Sequence, residues 1–411
     1  MSFVKKEVNT TPIEDTVFAI VNKAKEAKAV HGAEHVVDAT IGSLYDEEGK
    51  LVAFTSVFQP YDQIAKEQKA KYADSFTGNA SFRQQVYEWV CQDVNLTLAH
   101  SVIATPGGSG AVAITFEDIL DMHQTVVLPD IAWGSYALMA SMHNLEVRKY
   151  TLFDGDHFHM ESFKQACRET IEKQDKLLVV INDPCHNPTG YSLTIEEWKE
   201  IVAFLNECGE KVPVVLLNDI AYIDYSYDLG NSRCYLECFN DISDSVMAVI
   251  AFSCSKTLTS YGLRCGAAVL LAKQAEAVRS VEVVFEKTAR ATWSNIPNAA
   301  MDNFTAVTTV HREEYEREKQ QHIDHLKQRS DIFVREANAC GLPIYPYKEG
   351  FFVTVRVEDN ALRDRYHEAL MDHLIFTVKV NKGIRVAVCS LPIASCYGLA
   401  KRMKDILEGS K

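Results

Sequence analysis

One lysine and one arginine stand eight positions apart in SCSKTLTSYGLRCG, residues 253–266, among small and hydroxylated side chains and just after the apolar run VMAVIAF. Packing is a poor reason to put Lys256 there, because an ammonium without a partner in apolar surroundings is costly. Polar residues gather in the same way wherever other apolar runs stop. LLVVIND leads into PCHNPTG, and PVVLLND into IAY. Ligands of α/β proteins bind at the carboxyl ends of the strands. Asn187, Asp219, Tyr222, Ser253, Ser255, Lys256 and Arg264 are therefore expected to converge on one crevice. Each has a plainer reading alone: Asn-Pro-Thr-Gly is a good turn, Asp219 could be an N-cap, and Tyr222 could be core. Their shared placement is what argues for a site.

Upstream, TPGGSGAVAITF sets Gly108 and Ser109 at the opening of an apolar helix, where free backbone N–H groups face an anion. The spacing is neither the dinucleotide pattern nor the P-loop, which needs G-K-[ST]. Joined to Ser253, Ser255 and Arg264, it makes a cup for one phosphate group. A lysine beside such a cup, with an aspartate on a neighbouring strand, points to pyridoxal 5′-phosphate. The amine can condense with the aldehyde. Asp219 can keep the ring nitrogen protonated, so that the ring draws electrons. Tyr222 and Asn187 can reach the ring hydroxyl. Trp133, in DIAWGSY, offers a face to stack on, with simple packing as its equal alternative.

The elements that must position these residues alternate. The continuous apolar runs at 177–183 and 213–219 read as strands buried on both faces. Between them TIEEWKEIVAFLNECG reads as a helix with a Thr194/Glu197 capping box and Gly209 at its end. This βαβ unit predicts a parallel sheet with right-handed crossovers. TVVLPD, VMAVIAF and AAVLLA add strands. TPIEDTVFAIVNKAKEAKAVHG reads as a helix with Thr11 as N-cap, Pro12 in its first position, a capping box completed by Glu14, and Gly32 ending it. LYDEEGK reads as a turn. Residues 310–338 predict a long helix whose charges form a solvated face. GFFVTVRV and IRVAV predict short strands in an antiparallel setting.

At 411 residues, two domains are the expectation, and 47% hydrophobic with 24% charged residues is an ordinary globular composition. The formal charge of −14 argues against nucleic acid or an anionic membrane as partner. An anionic substrate must then be captured by local arginines. Eleven cysteines occur without a C-x-x-C pair, and Cys234 with Cys238 lacks a matching second pair, so no metal is expected. Cys254, Cys265 and Cys389 lie in apolar or small-residue stretches and read as reduced thiols of a cytoplasmic protein. MSFVKKEVNTTPIED has no apolar core of a secretory signal, and no apolar run is long enough to span a bilayer.

In order, the motifs IGSLYDEEGK, TPGGSGA, DIAW, HNPTG, NDIAY, SCSKTLTSYGLRCG, ARATWSN and GIRVAV resemble those of the aspartate aminotransferase family, the class I, fold-type I pyridoxal phosphate enzymes. The resemblance implies an α/β fold. A mixed, mostly parallel sheet would lie in a large domain over 51–310, and residues 1–50 with 311–411 would form a smaller α/β domain. It makes Lys256 the Schiff-base lysine and proton shuttle, and Asp219 the partner of the pyridine nitrogen. Tyr222 and Asn187 contact the ring oxygen. Ser253, Ser255, Arg264, Gly108 and Ser109 contact the phosphate, and Trp133 stacks. Arg385 grips the substrate α-carboxylate, with Asn187 and Gly42 beside it. Tyr72 resembles the tyrosine that reaches the neighbouring subunit's cofactor phosphate, and Arg290 the arginine that crosses the dimer to a side-chain carboxylate. A homodimer with shared sites follows, as does a cis Asn187–Pro188 bond.

Two departures stand out. The family often has histidines at Asn182 and near Tyr136, where they support the ring-facing aspartate. Ser43 and Leu44 occupy a loop near the substrate entrance where Val and Tyr are common. The implied activity is ping-pong transfer of an amino group between an L-amino acid, aspartate or glutamate first, and a 2-oxo acid such as 2-oxoglutarate. An aromatic amino acid aminotransferase is the alternative, or a lyase or decarboxylase on the same fold. A cofactor-binding regulator would usually carry a DNA-binding segment, for which the stretch before the first motif is short.

Overall fold

The computed structural model describes residues 3, 4, 10–12, 16–228 and 230–411. Seven strands build the main sheet: β1 (Ala99–Thr105), β2 (Thr125–Pro129), β3 (Glu146–Tyr150), β4 (Leu177–Asn182), β5 (Val214–Asp219), β6 (Val246–Ser253) and β7 (Gly266–Ala272). Their order is β1-β7-β6-β5-β4-β2-β3. Strand β7 runs antiparallel to β1 and β6, and the other pairs are parallel. The fold is thus α/β, with a mixed and mostly parallel sheet.

Every residue of β4, β5, β6 and β7 is buried. The period-two alternation of a strand splits them between two cores. Leu177, Val179, Ile181 and Leu216 pack on one face, while Leu178, Val180, Val215 and Leu217 pack on the other. Because both faces are covered by apolar side chains, polar groups survive only at the strand ends.

The crossover helix Ile195–Gly209 has the expected capping box. Thr194 Oγ1 accepts from the Glu197 N–H at 3.1 Å, and Glu197 Oε2 accepts from the Thr194 N–H at 2.7 Å. The first helix runs Thr16–His31, and Gly32 closes it at φ +89° with its N–H on the Lys28 carbonyl. Glu14, assigned to that helix's capping box, lies outside the described residues; Thr11 and Pro12 are described, upstream of the helix.

The long helix spans Arg312–Cys340. Its charges are not all solvated, contrary to the sequence reading. Lys319 is 3% exposed and Arg329 is 1% exposed. Arg329 Nη2 bonds Glu47 Oε1 at 2.6 Å and the Tyr45 carbonyl at 2.9 Å. A buried guanidinium with carboxylate and carbonyl partners is satisfied, which a lone Arg in a charged run does not reveal.

Strands β8 (Phe352–Arg356), β9 (Val378–Val380) and β10 (Gly383–Ala387) form an antiparallel sheet in the order β8-β10-β9. Val37–Asp38 pairs in parallel with Ile375–Phe376, tying the N-terminal segment to the C-terminal part. LYDEEGK is a turn closed by an antiparallel bridge from Tyr45 to Leu51. Among the described residues, no helix is long and apolar enough to cross a membrane.

Candidate active site

A cavity of about 300 Å³ opens at the carboxyl ends of β4, β5 and β6. Gly108, Ser109, Trp133, Asn187, Asp219, Tyr222, Ser253, Ser255, Lys256 and Arg264 all line it. A larger cleft of about 470 Å³ lies elsewhere, along β1. It holds an Arg83–Glu282 ion pair at 2.8 Å and none of the candidate residues.

Lys256 leaves the helical turn Cys254–Thr257 directly after β6. Its Nζ donates to the Gly42 carbonyl. The rings of Tyr261, Tyr222 and Phe351 surround it at 5.0, 5.3 and 5.7 Å. Burial, with Arg385 and Arg264 nearby and Cys389 opposing, brings its pKa down to about 8. A lysine so placed can both hold and release a proton near neutrality.

Asp219 ends β5. Its Oδ2 accepts from the Tyr136 hydroxyl at 2.5 Å and its Oδ1 from the Ala221 N–H at 3.1 Å. Burial raises its pKa, and those two donors oppose the rise. Burial beside Asp219 also holds the Tyr136 phenol well above its ordinary pKa, so it stays a donor. Asn182 supports the same residue through its backbone. Its Nδ2 donates to the Asp219 carbonyl at 2.7 Å, and its Oδ1 accepts from the Asn187 N–H at 2.7 Å. At both departures from the histidine pattern, neutral donors stand around the aspartate.

The phosphate-sized end is built on the 13-residue helix Gly107–Ile119, whose first N–H groups have no intrahelical acceptor. Arg264 sits at φ +51° and brings its guanidinium over that end. Nη1 donates to Ser255 Oγ at 2.9 Å and to the Tyr261 carbonyl at 2.9 Å. Gly107 is at φ +72°, and a Cβ there would fall 2.5 Å from Arg264 Nη2. A Cβ on Gly108 would come 3.2 Å from that of Ser253. The glycines let the arginine and the serine close on the helix end. Backbone N–H groups, hydroxyls and a guanidinium are the donor set that an anion needs.

Arg385, on β10, lies 8% exposed with its guanidinium 4.4 Å from the Phe352 ring. Nη1 donates to Asn187 Oδ1 at 3.2 Å and Nη2 to the Thr40 carbonyl at 2.9 Å, while Nε has no hydrogen-bond partner among the described residues. The Asn187–Pro188 bond is cis, and so is Asp183–Pro184. Gly42 must be small, since a Cβ there would meet Phe352 Cζ at 2.7 Å. Arg385 and Gly42 thus adjoin the cavity through Asn187 and Lys256.

Tyr72 and Arg290 are not brought there. Tyr72 is 80% exposed. Arg290, exposed, lies 4.7 Å from the Phe76 ring centre and donates to Ser294 Oγ at 2.8 Å. Leu44 lies two residues from Gly42, whose carbonyl meets Lys256. Its side chain is 1% exposed in the core, and only its N–H reaches toward the site, on the Tyr261 hydroxyl at 2.9 Å. Sequence reasoning missed Tyr261, which lines the cavity between Lys256 and Arg264 in the very stretch that drew attention, and Phe352, which underlies Arg385.

An α/β sheet with a lysine, a buried carboxylate and an anion cup at its strand ends defines a class. Residues 34–403 match the family model described as aminotransferase class I and II. The chain belongs to that family, which is pyridoxal-phosphate-dependent. It is 27% identical over 268 residues to the aspartate aminotransferase of Salmonella typhi, a match spanning 64% of this chain and 65% of that enzyme's length. A crystal structure of an aminotransferase from Anaerococcus prevotii superposes with a TM-score of 0.95 at 31% identity, covering 100% of both chains. The aromatic-amino-acid aminotransferase of Burkholderia pseudomallei, covalently bound to pyridoxal phosphate, shares the fold with a TM-score of 0.79 at 20% identity, over 99% of this chain and 100% of that one.

Proposed function

We propose that this protein transfers an amino group between an L-amino acid and a 2-oxo acid with pyridoxal 5′-phosphate, and that the residues of the 300 Å³ cavity do so in the roles assigned from sequence. The observation that carries the reading is one cavity walled by Lys256, with its pKa near 8, by buried Asp219, and by the anion cup of Gly108, Ser109, Ser253, Ser255 and Arg264. When bound, the cofactor supplies an aldehyde for the amine and a ring that takes up electrons from the substrate α-carbon.

The chain does the rest. The cup fixes the phosphate, and Trp133 walls the ring. The Asp219 anion, held by Tyr136 and Ala221, keeps a proton on the ring nitrogen. Tyr222 and Asn187 face the ring oxygen. Arg385 offers Nε, which has no hydrogen-bond partner among the described residues, to the substrate α-carboxylate, and Gly42 lets that group come close. With the cofactor bound, Lys256 Nζ as a neutral amine would take up the substrate α-proton and hold it for transfer. The aromatic rings around Nζ limit water at that transfer.

The preferred substrates are aspartate, glutamate and 2-oxoglutarate. A second arginine, Arg290 of a partner subunit, would meet the side-chain carboxylate, and a unit-charge contact is worth up to roughly 4 kcal/mol at an effective dielectric near 20. The homodimer is supported by the exposure of Tyr72 at 80% and Phe76 at 39%, with Arg290 resting on Phe76 outside its own cavity. That resting place also favours a second reading, aromatic substrates, because Arg290 already has Ser294 and Phe76 as partners and needs no carboxylate.

We place the large domain at 51–310, and the small one at 1–50 with 311–411. The seven-stranded sheet within 99–272 and the ladder from Val37–Asp38 to Ile375–Phe376 support this division. Burial of Cys254, Cys265 and Cys389 supports a reducing, cytoplasmic setting. Purified protein loaded with the cofactor is expected to absorb visible light, with a band that moves when glutamate is added. Release of ammonia or CO₂ instead of a 2-oxo acid would replace the transferase by a lyase or a decarboxylase.

A further inference from the structure

Next to the lysine turn, and outside the cavity lining, a carboxylate and two basic side chains are sealed in the core. Asp224 is 1% exposed, and Arg233 and Lys319 are each 3% exposed. Asp224 Oδ1 accepts from Arg233 Nη2 at 2.8 Å, and Lys319 Nζ stands 3.6 Å from the same oxygen. Oδ2 accepts from Trp89 Nε1 at 3.1 Å and from Thr257 Oγ1 at 2.6 Å. Burying three charges costs desolvation that apolar side chains of the same volume would avoid. Stability alone does not explain the cluster.

Its output is Thr257, the residue after Lys256. The same short stretch is held at two further points. The Tyr315 hydroxyl donates to the Thr257 carbonyl at 2.6 Å, and the Tyr225 hydroxyl donates to the Lys256 carbonyl at 3.0 Å. Arg233 is fixed in turn by its Nε on the Trp89 carbonyl at 3.1 Å. Two pieces of chain therefore hold residues 256–257 directly, the turn at 223–225 through Asp224 and Tyr225 and the helix Arg312–Cys340 through Tyr315, while Arg233, Lys319 and Trp89 of the helix Ala80–Val90 act on them through Asp224. From this clamp Lys256 reaches the Gly42 carbonyl.

We propose that Asp224 is a positioning residue: through Thr257 it fixes the backbone from which Lys256 reaches the reacting atoms, and Arg233 and Lys319 hold it in place. The inference rests on the aminotransferase reading. A lysine stem has four rotatable methylenes, so Nζ is placed no better than the Cα it hangs from and the walls it touches. A hydrogen bond to an ionised acceptor is shorter and about twice as strong as one to a neutral acceptor. Against burial, which raises it, Lys319 and Arg233 keep the pKa of Asp224 below the usual carboxylate range, so the acceptor stays charged.

Asp224→Asn would leave two buried cations around a neutral amide and risks unfolding. The informative variant is Thr257→Val, which removes the hydroxyl while Asp224 keeps Arg233, Lys319 and Trp89. Thr257→Ser restores the hydroxyl. On the cofactor-loaded protein, kcat and KM for glutamate with 2-oxoglutarate are measured. So is the midpoint of the pH titration of visible absorbance without substrate, which reports on the groups around Lys256. Thr257→Val is expected to lower kcat about 10- to 100-fold, the size of effect that a displacement of about 1 Å produces, with KM changed by less than about twofold. It is also expected to move the spectral midpoint, and Thr257→Ser is expected to recover both. Loss of melting temperature in Thr257→Val with kcat and midpoint unchanged would mean a structural role only and overturns the proposal, as does failure of Thr257→Ser to rescue. A wild-type protein that neither binds the cofactor nor transfers an amino group overturns the aminotransferase reading itself, and this inference with it.

Discussion

Replacing Tyr136 by Phe removes one hydroxyl from the cavity wall and little volume. That hydroxyl is the 2.5 Å donor to Asp219 Oδ2, and the Ala221 N–H at 3.1 Å on Oδ1 remains. A hydrogen bond to a charged acceptor contributes about 1.5–3 kcal/mol, against about 1 kcal/mol for a neutral pair. Burial already lifts the pKa of Asp219 above its ordinary 3.8 against the pull of Tyr136, so the variant lifts it further. With a raised folded pKa, the native chain keeps a proton that the unfolded chain has lost. Stability therefore falls as pH climbs from the ordinary carboxylate range through the folded pKa. In Tyr136→Phe that fall is larger and extends to higher pH. The cofactor-free variant is expected to be less stable than wild type by about 1 kcal/mol where Asp219 is protonated in both, and by about 1.5–3 kcal/mol where it is ionised in both. Urea unfolding followed as a function of pH, from below the fall to above it, reads the two limits. An unfolding difference that is the same at both ends of the pH range would show that Tyr136 does not act by stabilising the Asp219 anion.

Cofactor capture by the empty protein should speed up with pH and level off above about 8, because only neutral Lys256 is nucleophilic. Lys256→Ala should end turnover while still retaining cofactor at the phosphate cup, and full activity in that variant would refute the mechanism. Gly107→Ala places a methyl 2.5 Å from Arg264 Nη2 at a backbone φ of +72°, so it should weaken binding of pyridoxal phosphate far more than binding of pyridoxal; equal losses would take Arg264 out of the cup. Arg290→Ala should cost kcat/KM for aspartate up to the roughly 4 kcal/mol of a unit-charge contact and leave phenylalanine nearly untouched. Equal losses there would remove Arg290 from side-chain recognition.

The main sheet was legible because β4, β5 and β6 are uninterrupted apolar runs, and such runs have few other homes. Once those strands are placed, the residues at their ends must lie near one another. Ten candidates accordingly meet in one cavity although they are spread from Gly108 to Arg264. What stayed hidden depends on contacts between distant elements. Lys319 sits in EREKQQ, which reads as a solvated helix face, and only the packing of Arg312–Cys340 on Trp89 and Asp224 buries it. Leu44 lies in the loop that the resemblance sets near the substrate entrance, and the inward turn of its side chain depends on core within reach of an apolar residue. Tyr136 stood out only as a missing histidine. Its use as a donor follows from a distance of 2.5 Å that no pattern of spacing contains.

Burial acts on both ionisable groups at the centre of the cavity, and with opposite sign. It lowers the pKa of Lys256 to about 8 and raises that of Asp219, because a low dielectric disfavours whichever form is charged. Left to burial alone, the pair would drift toward a neutral amine and a neutral acid. The first suits proton transfer, but the second would leave the ring nitrogen without its counter-ion. The donors are distributed to correct only the second. Asp219 accepts from a phenol and a backbone N–H. Lys256 gains one carbonyl, from Gly42, and besides burial the groups that move its pKa are Cys389, Arg385 and Arg264. A carboxylate brought within contact of Lys256, for example by Tyr261→Asp, should hold the ammonium and lift the pKa back toward the ordinary lysine range. The plateau of cofactor capture should then move above pH 8, in step with a loss of activity at neutral pH. If the plateau stayed put while activity fell, the distribution of donors would not be what tunes this site.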